Sequence, residues 1–178
     1  MRIENTFIAG LKIIHLNEFT DVRGSFIKVM NKDVFMENGL EHSFDESYFS
    51  ISAKNVIRGM HFQIPPYEHT KLVYINSGKI IDVVVDLRKK SDTFGQFFSI
   101  ELNTTNPKLI YIPVGCAHGF KSLKNNTMVT YLQSSCYNSK ADSGIKYDSF
   151  GMDWEIEEPI ISERDSSFIT LKDFISPF

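Results

Sequence analysis

Short runs of apolar or alternating residues, separated by turn residues, make up most of the 178-residue chain. Such runs predict β-strands, and their regular spacing is typical of a sandwich or barrel, in which few sheet edges stay exposed. One helix is predicted over Lys32–Asn38, with Asn31 as its N-cap and Gly39 after its end, and a second short helix follows Ser162. The predicted strands are Ser47–Ala53, Lys71–Asn76, Lys79–Leu87, Gln96–Leu102, Lys108–Ile112 and Met128–Gln133.

The segment around Ser77-Gly78 predicts a tight hairpin. If these two residues form the turn, Val73 lies opposite Asp82, and Lys71 is a diagonal neighbour of Asp82 on an inner face. A lysine and an aspartate on an apolar face are costly unless they pair, so Asp82 is predicted to be the structural partner of Lys71. Both faces of these strands are otherwise apolar and need a cover. An opposing sheet is one cover, and a second subunit is the candidate for the other.

The composition fits one globular domain over residues 1–178, since 42% of the residues are hydrophobic and 23% are charged. The formal net charge of −3 gives no field that would favour nucleic acid or an anionic membrane surface as a partner. No segment approaches membrane-spanning length and no leader pattern opens the sequence, so a cytoplasmic location is expected. Cys116 and Cys136 lack metal-site spacing and are expected to be free thiols.

The stretch from Arg58 to Gln63, followed by Lys71, resembles the first signature of a cupin barrel whose metal ligands have been removed. A metal-binding cupin usually has His-x-His and then a Glu about one strand later. Here Gln63 takes the second His position, and Lys71 takes the Glu position when counted back from Gly78. An ammonium cannot coordinate a cation, so neither a metal nor another cofactor is expected. A histidine, a lysine and an arginine at one pocket suit proton chemistry on an anionic substrate.

The second half of the chain contains the matching signature, Pro113-x-Gly115-x-x-His118. The tight turn at Pro113 and Gly115 places His118 on the next strand, facing the barrel interior. With these motifs the chain resembles the dTDP-4-dehydrorhamnose 3,5-epimerase family of nucleotide-sugar enzymes. The match runs in the family's order over Asp21–Gly24, Arg58–Gln63, Asp82–Arg88, Ser91–Gly95, Ile112–Phe120, Tyr131, Gly151–Trp154 and Ser162–Asp165.

The resemblance implies an all-β cupin jelly roll with a few short peripheral helices, a homodimer and metal-independent chemistry. It implies epimerisation beside the keto group of a nucleotide-diphosphate-linked 4-keto-6-deoxy sugar, at C3, C5 or both, in polysaccharide biosynthesis such as that of an O-antigen. By position, His61 matches the catalytic base and Asp165 the carboxylate that orients it. Tyr131 matches the general acid on the opposite face of the sugar, and Lys71 the cation near the developing enolate.

The same resemblance assigns a set of substrate contacts. Arg23 and Arg58 match residues that hold the diphosphate, for which the planar guanidinium fork is well suited, and His118 matches a second active-site histidine. Glu46 and Tyr48 are expected near the base, and Gln63 is expected to contact the substrate.

The residues alone leave simpler roles open. Ser162-x-x-Asp165 is also a capping-box pattern, Tyr131 could be an ordinary core tyrosine, and His118 could be only structural. Other functions on the same fold are a sugar 3,4-ketoisomerase, a non-catalytic sugar-binding cupin and a metal-dependent dioxygenase. The ketoisomerases usually have a closely spaced histidine pair, and Gln63 argues against one here.

The departures from the family's usual sequence cluster where the nucleotide base is expected. They are Ser25, Lys28, Glu46, Tyr48 and Cys136. The last of these stands where a tyrosine commonly stacks on the base, although Tyr137 is adjacent. Base stacking is worth roughly 1–3 kcal/mol, so losing that ring should matter. The sugar end of the site is intact, whereas the nucleotide end differs.

We therefore expect a CDP- or GDP-linked 4-keto sugar to turn over better than the dTDP-linked one. The Glu46 carboxylate can accept a hydrogen bond from an amino or imino edge, and thymine has no exocyclic amine. A site built for a specific hydrogen bond rejects analogues that lack it, so kcat/KM should differ by about tenfold or more. Steady-state assays with the three sugars measure the preference. Equal or better turnover of the dTDP sugar would contradict it without touching the epimerase assignment.

Overall fold

The computed structural model describes residues 1–178 and contains two antiparallel β-sheets packed face to face. The six-stranded sheet has the spatial order β1 (Arg2–Asn5), β2 (Lys12–His15), β10 (Lys108–Ile112), β7 (Lys71–Ser77), β12 (Thr127–Gln133) and β5 (Glu46–Ser52). The five-stranded sheet has the order β13 (Asp142–Gly144), β6 (Ile57–Gln63), β11 (Cys116–Ser122), β8 (Lys79–Asp86) and β9 (Phe97–Asn103). A separate hairpin is formed by β3 (Glu18–Asp21) and β4 (Gly24–Ile27).

The two helices are short and lie outside the sheets, which confirms the predicted all-β jelly roll with a few peripheral helices. Helix α1 spans Lys32–Glu37, and the Asn31 side chain accepts from the backbone N–H groups of its first turn, as an N-cap should. Helix α2 spans Glu163–Ser166 and follows its N-cap Ser162. Neither helix is long and apolar enough to cross a membrane.

Every predicted strand exists, with ends that agree to within one residue. The missed strands are mostly short ones: β1 to β4 have four residues each, too few for an alternating pattern to stand out, and β13 has three. The remaining two, β6 and β11, contain the cupin signatures. Cys116 and Cys136 are free, as predicted.

The hairpin predicted at Ser77-Gly78 is wrong. Strand β7 pairs with β10 and β12, whereas β8 pairs with β11 and β9, so this link takes the chain from one sheet to the other. Lys71 and Asp82 are therefore not cross-strand neighbours, and Asp82 binds His118 instead. A hairpin within one sheet and a link between the two sheets both turn the same alternate residues of β7 and β8 towards the core. The hydrophobic pattern along the chain therefore could not distinguish the two arrangements.

The predicted inner face is correct, and one core lies between the two sheets. It includes Val73, Ile80 and Val84, together with Leu102, Ile110, Phe120 and Val129. The outer faces are covered by the same chain, so the expectation of a second subunit as the cover for β7 and β8 is wrong. Phe35 and Leu40 pack with Leu72 on one outer face. Trp154 and the C-terminal segment pack with Val83 and Val85 on the other.

Gly78 marks the point where the chain changes sheets. Its φ is +85°, and a Cβ built on it would lie 2.2 Å from Thr127 Oγ1 and 2.7 Å from Thr127 Cα. A side chain here would meet both the left-handed backbone penalty and a collision with the backbone of β12. Gly39 has a similar φ of +64° but has nothing within 4 Å of a built Cβ.

The pair Gly78→Ala and Gly39→Ala separates backbone strain from close approach. Gly39→Ala should cost about 1–2 kcal/mol of unfolding free energy, since only the left-handed conformation opposes it. Gly78→Ala should cost at least about 2 kcal/mol more, because the extra methyl also overpacks the corner. Urea unfolding followed by circular dichroism measures both. Equal losses would show that the corner relaxes and that the close approach to Thr127 is not a constraint.

Candidate active site

Strands β6 and β11 bring two histidines together. His61 and His118 are direct cross-strand partners, so their side chains point to the same face of the five-stranded sheet. The strands approach unusually closely just beside this pair: a Cβ on Gly59, whose φ is +131°, would lie 2.6 Å from Gly119 Cα. The register shifts between His118 and Phe120. The glycines of the two signatures therefore fit the two strands together at the level of the histidines.

Asp165 links His61 to the rest of the fold. Its Oδ1 lies 2.8 Å from His61 Nε2, and its Oδ2 accepts from Gly59 N at 2.9 Å. The alternative role for Ser162 and Asp165, a capping box at the start of α2, is only partly confirmed. Ser162 Oγ accepts from Asp165 N and caps α2, but the Asp165 carboxylate faces His61 and not the N-cap. Because the carboxylate can only accept, the His61 tautomer that it favours has the proton on Nε2 and leaves Nδ1 free.

The electrostatic surroundings favour neutral His61. Burial lowers the pKa of His61 below its ordinary value, and the charges of Lys71 and Arg164 act in the same direction. The hydrogen bond and charge of Asp165 oppose this shift without cancelling it. For Asp165 itself, burial would raise the pKa, but its contacts with His61 and the Gly59 N–H outweigh burial and lower it. The pair is therefore a neutral imidazole bonded to a carboxylate near neutral pH.

Lys71 is buried beside this pair, on the facing sheet. Its Nζ donates to the His61 carbonyl oxygen at 3.3 Å. Burial lowers the pKa of Lys71 to about 8, although the carboxylates of Asp142 and Asp82 favour its charged form. The ammonium is consequently retained at neutral pH and is lost as the pH rises through about 8. Lys71 can supply a positive charge to a substrate at this position.

Tyr131 lies on β12 and is buried. Its ring stacks on Tyr48 with a centroid distance of 4.7 Å and an interplanar angle of 19°, and its hydroxyl is 3.4 Å from Ser50 Oγ. Burial raises the pKa of the Tyr131 phenol, and it also raises that of Tyr48 to about 12. Tyr131 is thus a protonated group throughout the neutral range and can donate.

Two adjoining cavities bring the predicted residues together. The inner one, of about 160 Å³, is lined by Tyr48, Ser50, Arg58, His61, Lys71, His118, Phe120 and Tyr131. The outer one, of about 300 Å³, is lined by Tyr48, His61, Phe62, Gln63, His69, Lys71, Gln133, Tyr137, Asp142 and Arg164. His61 and Lys71 border both cavities, so a bound molecule in either one contacts the same pair.

His118 also has a carboxylate partner. Its Nε2 lies 2.8 Å from Asp82 Oδ2, and both side chains are almost fully buried. The second oxygen, Asp82 Oδ1, is buried without a hydrogen-bond partner. The His118 ring meets the Tyr131 ring edge-on at 6.1 Å. The pair thus fixes the orientation of His118 towards the inner cavity.

Gln63 lies in the outer cavity, but its amide is engaged by the protein. Its Nε2 donates to the carbonyl oxygens of Tyr67 and Cys136 at 2.8 and 3.2 Å. Its Oε1 accepts from Asn138 N at 2.6 Å. Gln63 therefore ties together the loops that follow β6 and β12, at the rim of the cavity.

Two further predicted contacts lie at or beyond this rim. Glu46 accepts from the backbone N–H of Tyr137 through Oε2, while its Oε1 makes no hydrogen bond within the chain. Arg23 sits on the β3–β4 hairpin with 86% of its side chain exposed, where it pairs with Asp21. It lines neither cavity, so a single chain does not bring Arg23 into the site.

The sequence interpretation missed Arg164 and Asp142. Arg164 Nη2 donates to Asp142 Oδ2 at 2.6 Å, and Arg164 Nη1 lies 3.1 Å from His61 Nε2. The available signal was that Arg164 directly precedes Asp165 in a matched motif. No signal pointed to Asp142, because its place beside β6 depends on the pairing of β13.

The donor set at the site does not suit a metal. No three His, Cys, Asp or Glu side chains lie together as a metal would require. The position of the glutamate ligand of a metal-binding cupin is taken by Lys71, whose ammonium repels cations.

Comparison with known proteins agrees with this geometry. The sequence model of the dTDP-4-dehydrorhamnose 3,5-epimerase family matches residues 5–173. An enzyme of that name from Methanothermobacter thermautotrophicus is 40% identical over 177 residues, which cover 97% of this chain and 95% of the relative.

Solved structures give the same result. The dTDP-4-dehydrorhamnose 3,5-epimerase of Elizabethkingia anophelis has 34% identity and a TM-score of 0.91, with 97% of each chain covered. A dTDP-6-deoxy-D-glucose-3,5-epimerase of Legionella pneumophila, solved in complex with dTDP-4-keto-L-rhamnose, has 32% identity and a TM-score of 0.92. That match covers 98% of this chain and 94% of the Legionella chain. The chain therefore belongs to the dTDP-4-dehydrorhamnose 3,5-epimerase family and is an isomerase of the nucleotide-sugar class.

Proposed function

We propose that the protein epimerises a nucleotide-diphosphate-linked 4-keto-6-deoxy sugar at C3, C5 or both. The observation that supports this best is the shared cavity of His61, Tyr131 and Lys71, with Asp165 behind the histidine. A carbon acid beside a ketone needs a base near neutral pKa, a positive charge for the enolate and a proton donor on the other face. No contact favours the ketoisomerase or the non-catalytic alternative over this function.

In the proposed reaction His61 removes the proton. The neutral ring carries its proton on Nε2 and donates it in a hydrogen bond to Asp165. The other ring nitrogen, Nδ1, makes no hydrogen bond to the protein and accepts the proton from the carbon beside the keto group. The imidazolium that forms is stabilised by the Asp165 carboxylate. The enolate oxygen is stabilised by the Lys71 ammonium, which is worth most inside a buried cavity because the local dielectric is low.

Tyr131 completes the inversion in this scheme. Its phenol returns a proton to the opposite face of the enolate, and the resulting phenolate is recharged from solvent. Ser50 lies close enough to its hydroxyl to hold it in position. The raised pKa of Tyr131 keeps the donor loaded between turnovers.

The remaining contacts are proposed to hold the substrate. Arg58 binds Ser52 Oγ through Nε and the Ile51 carbonyl through Nη2, so its Nη1 is left for the diphosphate. His118, Tyr48 and Glu46 are proposed to contact the sugar and the nucleotide, and Gln63 to support the rim. The base preference predicted from the sequence stays a prediction: one Glu46 oxygen is occupied by Tyr137, and the other is available.

We also propose a homodimer in which the β3–β4 hairpin reaches the partner's site. The hairpin exposes Phe19 and Phe26, each 61% accessible, and the sheet-edge strand β5 exposes Phe49 and Ile51. Apolar surface of this kind is typical of an interface. If each subunit places its hairpin at the partner's site, Arg23 lies close to the diphosphate bound there, whereas within a single chain it lies outside the site.

The cellular setting is proposed on the same basis. One domain over residues 1–178, a cytoplasmic location and a role in polysaccharide biosynthesis such as that of an O-antigen suit a nucleotide-sugar isomerase. The two free thiols are what a reducing compartment maintains.

The base and acid can be tested by deuterium exchange from solvent into the 4-keto sugar, followed by NMR at C3 and C5. His61→Ala should abolish incorporation at both carbons, because His61 is the only base in the proposed reaction. Tyr131→Phe should keep measurable exchange but lose completed inversion, since only the return of the proton is impaired. Exchange at the wild-type rate in His61→Ala would contradict the base assignment. Tyr147→Phe, a tyrosine outside both cavities, is the matched control and should behave as wild type.

The shared site can be tested by mixing inactive subunits. His61→Ala and Arg23→Ala should each be nearly inactive alone, because each lacks one part of every site. Co-expressed, they should regain about a quarter of the wild-type activity, since half of the dimers are mixed and each mixed dimer has one complete site. Mixed dimers purified through two different affinity tags should have about half of the wild-type activity, since one of their two sites is complete. No recovery in mixed dimers would show that Arg23 acts within its own chain or not at all.

A further inference from the structure

Arg164 is a charged residue in direct contact with the His61–Asp165 pair, and the proposed reaction leaves it without a role. Its Nη1 lies 3.1 Å from His61 Nε2 and 3.4 Å from Asp165 Oδ1. Its Nη2 donates to Asp142 Oδ2 at 2.6 Å. The guanidinium thus joins two carboxylates that belong to different parts of the chain.

The guanidinium is held on more than one side. Its carbon lies 5.0 Å from the centre of the Phe168 ring, a distance suited to a cation–π contact. The same ring meets the His61 ring edge-on at 5.8 Å. Asp142 is fixed by β13, where it lies opposite Gln63, two positions from Gly144, the partner of His61. Arg164 therefore has a defined place although 46% of its side chain is exposed.

The hydrogen-bonding capacity of His61 decides how Arg164 acts. A carboxylate only accepts and a guanidinium only donates, so one ring nitrogen cannot bond to both at once. When His61 Nε2–H donates to Asp165, the N–H groups of Arg164 donate to Asp165 and Asp142 and not to the ring. Arg164 then acts on His61 as a nearby positive charge.

We propose that Arg164, anchored by Asp142 and Phe168, is a positioning residue that keeps His61 neutral while Asp165 holds its Nε2 proton. This inference rests on the proposed function, in which His61 is the base. A carboxylate alone would favour the imidazolium, which cannot accept a proton. A fixed cation beside the pair offsets this effect and leaves the orientation by Asp165 intact.

Arg164 acts on His61 together with burial and the charge of Lys71, both of which lower the pKa of the ring more than Arg164 does. The charged and titratable groups around the ring are Asp165 and Arg164 from the α2 region, Lys71 from β7, Asp142 from β13, Arg58 from β6, Tyr48 from β5, Tyr131 from β12, His118 from β11 with Asp82 behind it on β8, and His69 and Tyr137 from the loops after β6 and β12. The Lys71 ammonium acts in the same direction and is charged over the pH range in which His61 titrates. Arg164 stays charged at every working pH.

The test is an NMR titration of the His61 ring nitrogens in the free protein, assigned with the spectrum of His61→Asn. Arg164→Gln removes the charge and leaves a shorter, neutral side chain that can still donate a hydrogen bond. It should raise the midpoint of the His61 titration by about one pH unit, and the acid limb of kcat/KM should move with it. Arg164→Lys restores the charge and should restore most of the midpoint. Asp142→Asn leaves the Arg164 charge uncompensated and should lower the midpoint.

The matched control is Arg2→Gln, because Arg2 also contacts a histidine, His15, through Nη2 at 2.7 Å, on the far edge of the six-stranded sheet. It should leave the His61 titration unchanged. An unchanged midpoint in Arg164→Gln with an increased KM would overturn the proposal and make Arg164 a substrate contact. An unchanged midpoint with only a lower melting temperature would also overturn it, in favour of a structural role. The titration needs no substrate, so a failed epimerase assay would count against the proposed function alone.

Discussion

The buried carboxylate of Asp165 is the contact on which the rest of the site depends. It binds the backbone of β6 at Gly59 and the ring of His61, and its own backbone is bound by the N-cap of α2. Leaving a buried hydrogen-bonding group without its partner typically costs about 1–3 kcal/mol, and more for a charged group such as this carboxylate. The same contact therefore attaches the C-terminal part of the chain to the five-stranded sheet and orients the base. Stability and proton chemistry are coupled at this one residue.

The polar groups of the barrel are concentrated at one end of the strands. Lys71 begins β7, Gln133 ends β12 and Glu46 begins β5, and these three positions are cross-strand neighbours. The buried pair of Asp82 and His118 extends this polar region inwards, and aliphatic and aromatic side chains fill the core beyond it. An apolar interior raises the cost of every buried charge, so the ammonium and the carboxylates persist only where they face one another or the cavity. This restriction confines the chemistry to one mouth of the barrel.

Some features were predictable because they depend on local order along the chain. The alternation of β7 and β8 predicted their inner face correctly, and Asn31 was identified as a cap by its side chain and position. His61 and Lys71 were found from the cupin signature and Tyr131 from the family resemblance, and the structure places all three around one cavity. Arg164 was missed because an arginine beside a motif carboxylate looks like any exposed charge. Its significance comes from Asp142 and Phe168, which are distant from His61 along the chain.

The sequence by itself determined the strands, the two cupin signatures and the identity of the residues that can move a proton. Only the tertiary structure decided which of them touch. Asp82 was expected to pair with Lys71 and pairs with His118, because the link at Ser77-Gly78 is a corner between sheets and not a hairpin. The physical reason is that a two-residue link buries the same alternate side chains in either case. The choice between them comes from the neighbours that β7 and β8 find elsewhere in the fold, and those pairings join residues far apart in sequence.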